Sequence, residues 1–243
     1  MSEILMDLIS MSKRGTLKGA IEDIPADTYN HPSCPGIRSG DIKEVARKSV
    51  AHWLGVKKKQ SSAMALGTEF HSAMEGAPIN ESSDNAVALR AMVANVKAHP
   101  SIAPLIAGAR HEVTFFSVDS QTGLLKRCRV DAYKEEIVID YKTTRDASPF
   151  AFARDCMKLG YRISAAYYLE IVSEVMGSMH RDFRIVAVEN TSPFSAALYK
   201  ADERSIFYGE EDVRSALTAI AKYQEEGDDA WTGYPLGMRE LMI

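Results

Sequence analysis

The sequence predicts a mixed α/β (α+β) domain, a central β-sheet of mixed strand direction flanked by helices, and three observations predict it. Apolar residues recur at helical spacing before residue 100 and again after residue 148. Between them, segments such as Glu136-Ile137-Val138-Ile139-Asp140-Tyr141-Lys142 read as β-strands. No internal repeat, low-complexity tract or composition break divides the chain, so the order helices, β-meander, helices, strands, helix belongs to one body. At 243 residues with 46% hydrophobic content, that body is large enough to bury a core without disulfide staples.

Residues 1–38 carry Pro25, Pro32 and Pro35 with weak periodicity, which predicts an extended lead-in before a domain spanning 39–243. Ser39 is a natural N-cap for a helix running from Asp41 to Trp53. Its apolar positions Ile42, Val45, Ala46, Val50 and Trp53 recur at helical spacing, and Gly55 ends it. Helices follow over Ser62 to Glu75 and Ser83 to Ala98, the latter stopped by Pro100. A strand over Glu112 to Val118 leads through the Asp119-Gly123 turn into a second, Leu124 to Tyr133, and a tight turn at Lys134-Glu135 folds the third strand back antiparallel. Helices return over 148–158 and 161–176, where Tyr161, Tyr167 and Tyr168 read first as packing residues. Strands Phe183 to Glu189 and Ala196 to Tyr199 and a last helix, 210–225, complete the order.

Charge and cysteine usage exclude several classes. With 29 basic and 33 acidic residues the net charge is −4, so the chain does not coat nucleic acid over its whole surface. Any such contact is a local patch, with Lys57-Lys58-Lys59 and Lys126-Arg127-Cys128-Arg129 as candidates; a solvated loop accounts equally for the lysine run. Cys34, Cys128 and Cys156 are widely spaced, without a C-x-x-C pair, which points to a reducing, cytoplasmic setting rather than a disulfide framework or thiolate metal site. The acidic residues near Met1 do not suit a signal peptide, and no apolar run nears the ~20 residues that span a bilayer, so no membrane is expected.

The chemistry concentrates in the meander. Side chains alternate along a strand, so Asp140 and Lys142 share one face while Ile137, Ile139 and Tyr141 take the other. The antiparallel return brings Asp131 near Asp140, and two carboxylates at one place repel unless a cation lies between them. Surface decoration of an edge strand gives the same spacing. Glu112, opening the preceding strand, offers a third carboxylate, and His71 in Gly67-Thr68-Glu69-Phe70-His71 offers an imidazole, a residue type that more often packs than ligates.

Taken together, Gly67-Thr68-x-Phe70-His71, Glu112, Thr122-Gly123-Leu124-Leu125-x-x-Cys128-Arg129-x-Asp131, Ile139-Asp140-Tyr141-Lys142-Thr143-Thr144 and Tyr161-x-x-x-x-Ala166-x-Tyr168 resemble the PD-(D/E)xK nucleases. Within them the pattern looks most like the RecE-type exonucleases (exonuclease VIII) of phages and prophages, near the RecB nuclease domain, over about residues 30 to 226. The resemblance implies a restriction-endonuclease-like core. It assigns Asp131 and Asp140 to metal binding, Lys142 to catalysis, His71 to the border of the metal site and Glu112 to a supporting acid, with the Tyr141 carbonyl as a further ligand. Tyr161, Ser164 and Tyr168 fall on the helix that meets DNA, and Arg129, on the face of Asp131, is a candidate phosphate contact.

The implied activity is digestion of linear double-stranded DNA from its ends, 5′ to 3′, with Mg²⁺ or Mn²⁺. The implied partners are a single-strand-annealing recombinase and further copies of the chain in a ring. Two positions depart from the pattern: Ser164 replaces glutamine, and Val130 replaces the proline of the PD pair. A DNA-binding or partner-binding module with a decayed site, and a nuclease of another polarity, are the competing readings; an iron-sulfur nuclease needs four cysteines and the chain has three.

Overall fold

The computed structural model describes residues 2–55 and 61–234. Its centre is a seven-stranded sheet of β1 (Gly19–Ile21), β2 (Ile37–Arg38), β3 (Arg110–Val118), β4 (Leu125–Lys134), β5 (Ile137–Thr144), β6 (Asp182–Glu189) and β7 (Ala196–Lys200). The order is β1-β3-β4-β5-β6-β7, with β2 alongside β4. Pairings are antiparallel except β5 with β6 and β2 with β4, so the sheet is mixed and mostly antiparallel. The β4–β5 turn is tight because Glu135 and Glu136 both adopt left-handed backbone, at φ 50° and 70°, which matches the twist of the strands it joins.

Strand alternation sends side chains into two cores. On one face α3 (Ser39–Arg47), α9 (Tyr161–Met176) and α10 (Glu203–Glu226) bury Ile42, Ile163, Tyr167, Val213 and Leu217 against Val113, Val130, Val138 and Phe183. On the other, α5 (Ser62–Met74) and α6 (Ala86–Ala98) bury Phe70, Met74, Leu89 and Met92 against Ile139, Tyr141, Val186 and Val188. Val138 faces the first core, Ile139 and Tyr141 the second. Gly209 lets α10 press onto α9, since a Cβ there would collide with the Arg162 carbonyl and lie 2.9 Å from Ala166 Cβ. None of the helices among the described residues is long and apolar enough to cross a membrane.

Three segments differ from the sequence expectation. Residues 1–38 are not simply extended: α1 (Glu3–Lys13), β1, α2 (Ala26–Asn30) and β2 form there, with Leu5, Leu8, Leu17, Ile24 and Cys34 packed on Phe116 of β3. The helix expected over 41–53 is two, α3 and α4 (Val50–Gly55), broken at Lys48 where φ is −133° and ψ −96°. It also starts at Ser39 rather than being capped by it; the Asp41 carboxylate accepts from the Arg38 N–H, while the Ser39 hydroxyl turns inward to Ser164. Finally, α10 starts at Glu203, seven residues ahead of the expected start, where the Asp202 carboxylate accepts from the Ser205 N–H at 3.0 Å as its cap. A one-turn helix, α7 (Ala103–Ile106), and α8 (Pro149–Leu159) complete the set.

Candidate metal and nucleic-acid cleft

The cleft exists because β4 forks. That strand pairs with β3 from Leu125 to Tyr133, so β2 and β5 must share the opposite edge: β2 takes Lys126 and Arg127, β5 takes Ala132, Tyr133 and Lys134. Between those pairings the edge of β4 opens, and Asp131 stands at the fork. Its carboxylate substitutes for ladder carbonyl, accepting the Tyr141 N–H at 2.7 Å. Opposite, Glu112 adopts φ 50° within β3, and the β3–β4 register passes from His111↔Ala132 to Val113↔Val130 around it. A left-handed residue inside a strand breaks the alternation and re-aims its side chain.

Three elements therefore meet. His71, on the α5 face next to Phe70, Glu112 and Asp131 each offer a ligand atom within 4.8 Å of the others. His71 places Nδ1 3.3 Å from Asp131 Oδ1 and Nε2 2.9 Å from the Tyr141 carbonyl oxygen. Lys142 Nζ is ion-paired with Asp140 and also donates to the Tyr141 carbonyl at 3.2 Å. Asp140 lies outside the His71/Glu112/Asp131 group, its carboxylate engaged by Lys142. The surrounding cleft of about 980 Å³ is lined by Gly67 and Thr68 of α5 and by Glu75 at its C-terminal cap, by Tyr29 of α2, and by Lys43, Tyr161 and Tyr168.

The electrostatics follow from crowded acids in a half-buried place. Burial, with Asp131 and Glu75 close by, pushes the Glu112 carboxyl up to about 7 against the pull of Arg129. Glu75 is raised as well, chiefly by burial. Burial alone would raise Asp131, but His71, Lys142 and the Tyr141 N–H hold it below the usual carboxylate range. Burial would lower Lys142, yet the Asp140 and Asp131 carboxylates outweigh that and hold it above the ordinary lysine value. His71 follows the same logic: burial lowers it, the Asp131 charge and hydrogen bond raise it further. Lys142 is thus a fixed cation beside an acidic pocket at neutral pH.

The remaining expected residues separate. Tyr161 lines the cleft with Lys142 Nζ 5.5 Å and Lys43 Nζ 5.8 Å from its ring centre, and Tyr168 lines it too, its ring edge-on to Phe183. Ser164 falls between Tyr161 and Tyr168 on α9 but does not line the cleft: it is buried, its hydroxyl 3.0 Å from that of Ser39. Arg129 is only 8% exposed, held by Glu112, Thr114 and the Ile24 carbonyl. The Lys126-Arg127-Cys128-Arg129 run is not an exposed basic patch: Lys126 is fully buried among Asp119, Glu170 and Glu174, and Arg127 caps the carbonyls of Cys34 and Pro35. The strand in which it lies is central, so neighbours on both edges and both faces enclose it. Lys57-Lys58-Lys59 lies outside the described residues. Glu75 was legible as the residue four after His71, on the same helix face; Tyr29 carried no local signal.

Comparison with known proteins bears on the family and the fold. A family model described as "PDDEXK-like domain of unknown function (DUF3799)" matches residues 41–231. A crystal structure of a protein from Eubacterium rectale, described as "Putative exonuclease", is similar with a TM-score of 0.69 and 12% identity, covering 91% of this chain and 97% of that one. A crystal structure of SSO0001 is matched at 16% identity over 88% of this chain and 87% of that one, with a TM-score of 0.35. No curated protein matches the chain.

Proposed function

This chain belongs to the PDDEXK-like family DUF3799, and from that premise we propose that it is a divalent-cation-dependent nuclease acting on ends of linear double-stranded DNA. The observation that carries the reading is the meeting of His71, Glu112 and Asp131 within 4.8 Å, beside a lysine held charged by Asp140. Two carboxylates, an imidazole and the Tyr141 carbonyl form an oxygen-rich donor set that suits Mg²⁺ or Mn²⁺. The Glu112 carboxyl, raised by burial and by the neighbouring Asp131 and Glu75, fits a cation as well, because a positive charge there offsets both. Such a cation supplies Lewis-acid stabilisation of phosphate charge and acidifies water.

The chain's own groups do the positioning. Asp131 is fixed by the Tyr141 N–H and by His71, so its carboxylate keeps one orientation at the fork. Lys142, being protonated, serves as a charge donor to phosphate oxygen or water rather than as a base. Asp140 holds that ammonium in place, and the Tyr161 ring lies beneath it. Tyr161 itself is a neutral phenol, pushed up to about 12 by burial, able to donate to phosphate.

The finer reading takes its support from resemblance to the RecE-type exonucleases: 5′ to 3′ polarity, a 3′ single strand handed to a single-strand-annealing recombinase, and a homo-oligomeric ring in the cytoplasm of a phage host. A ring reconciles the net charge of −4 with DNA binding, because basic side chains need only line its channel. Duplexes labelled at the 5′ or the 3′ end, incubated beside closed circles with Mg²⁺ and with chelator, test it. Release of 5′ label first, from linear DNA and only with Mg²⁺, is the expected result; cutting of circles makes it an endonuclease, and no cutting removes the nuclease reading.

A further inference from the structure

We propose that the segment 24–30 is a working part of the cation site, acting through Arg129, which positions Glu112. The family model begins at residue 41, so this segment lies ahead of it, yet Ala26, Tyr29 and Asn30 form one wall of the cleft. The contact is specific. The Arg129 guanidinium donates from Nη2 to the Ile24 carbonyl at 2.6 Å and lies 4.2 Å from the centre of the Tyr29 ring. From the same group Nε donates to Thr114 Oγ1 at 3.2 Å and Nη1 to Glu112 Oε2 at 3.1 Å. A planar fork with five N–H donors can satisfy these directions together, and an ammonium cannot.

Glu112 needs such a hold. It occupies a left-handed backbone position, and Asp131 and Glu75 repel its carboxylate. Arg129 is the cation bound to it, and Ile24 and Tyr29 fix where that cation sits. The N-terminal segment is itself anchored, because Ile24 is buried with Leu5, Leu8 and Leu17 on Phe116. Order in the first thirty residues therefore reaches a metal-ligand candidate through one side chain. Arg129 and Tyr29 are positioning residues in this scheme, neither touching the reacting phosphate.

The inference rests on the cation site of the proposed function, and calorimetric titration of the whole chain with Mn²⁺, alongside duplex cutting, separates the two. Tyr29→Ala is expected to weaken Mn²⁺ binding on the order of ten-fold, as loss of a partner that orients a ligand does. Tyr29→Phe, which keeps the ring, is expected to restore it. Arg129→Lys keeps the charge and loses the fork, and is expected to weaken binding similarly, which covers the case in which Tyr29→Ala fails to fold. In the double variant Tyr29→Ala/Glu112→Gln, binding should be no weaker than in Glu112→Gln alone, because both losses pass through one carboxylate. Wild-type affinity in folded Tyr29→Ala or Arg129→Lys, additive losses in the double variant, or no Mn²⁺ binding by the wild type overturns the proposal. Mn²⁺ binding that depends on Tyr29 without any DNA cutting supports it and removes the nuclease reading alone.

Discussion

Two clusters of charge lie five residues apart on β4, and they are built in opposite ways. Around Lys126, which is fully buried, Asp119, Glu170 and Glu174 supply acids and Arg214 a second cation, joining the β3–β4 turn to α9 and α10. Around Asp131, Glu75, Glu112 and Asp140 stand against His71, Lys142 and Arg129 in an open cleft. The same class of group responds in opposite directions. Despite burial, hydrogen bonds from Thr122 and Arg214 take Asp119 down to about 2, whereas burial and neighbouring acids take Glu112 up to about 7. A buried cluster that supplies its own counterions is structural; an accessible one left with acids pushed upward suits an added cation.

The contrast can be broken by substitution. The largest expected effect is on the closed cluster: Lys126→Met strands three acids without their buried cation and should cost about 3–5 kcal/mol of stability by chemical denaturation. Cutting per folded molecule should be unchanged, and a stable but inactive variant would merge the two clusters into one functional unit. In the open cluster, Lys142→Ala should lower the Mg²⁺-dependent cutting rate on the order of 10²- to 10³-fold while circular dichroism still reports a folded chain. Undiminished cutting takes Lys142 out of the site.

A pH series sharpens the comparison further. The Asp119 carboxyl is lower when folded, about 2 against an ordinary aspartate value of 3.8, so its contribution is complete above pH 4 and disappears as pH falls through 2. That contribution is about 2 kcal/mol. Asp119→Asn should therefore be less stable than wild type at pH 6, with the gap closing toward pH 2; a constant gap assigns the loss to packing instead. Smallest is Ser164→Ala, which removes one buried hydroxyl pair with Ser39 and should cost about 1 kcal/mol without altering cutting. A large loss of cutting would return Ser164 to the DNA-binding surface that the family pattern suggests.

The local patterns proved legible. Helix α9 runs over Tyr161–Met176 as its apolar spacing predicts, and β5 sends Ile139 and Tyr141 to one core while Asp140 and Lys142 share the other side. Asp131 reached its place through an antiparallel return that the turn at Lys134-Glu135 already indicated. Residues 1–38 misled because prolines mask short elements whose order comes from packing on Phe116. The helix over 41–53 misled because apolar periodicity continues in register across Lys48, where the backbone breaks.

By itself the sequence determined the alternation of helices and strands, the faces of those elements and the neighbourhood of Asp131, Asp140 and Lys142, since each is set by residues a few positions apart. Only the tertiary structure decided which charges are spent inside the fold and which face the cleft. Arg129 meets Ile24 across 105 residues, and Ser164 meets Ser39 across 125. Periodicity states which face a side chain takes, and the partner waiting on that face is chosen by the packing of distant segments.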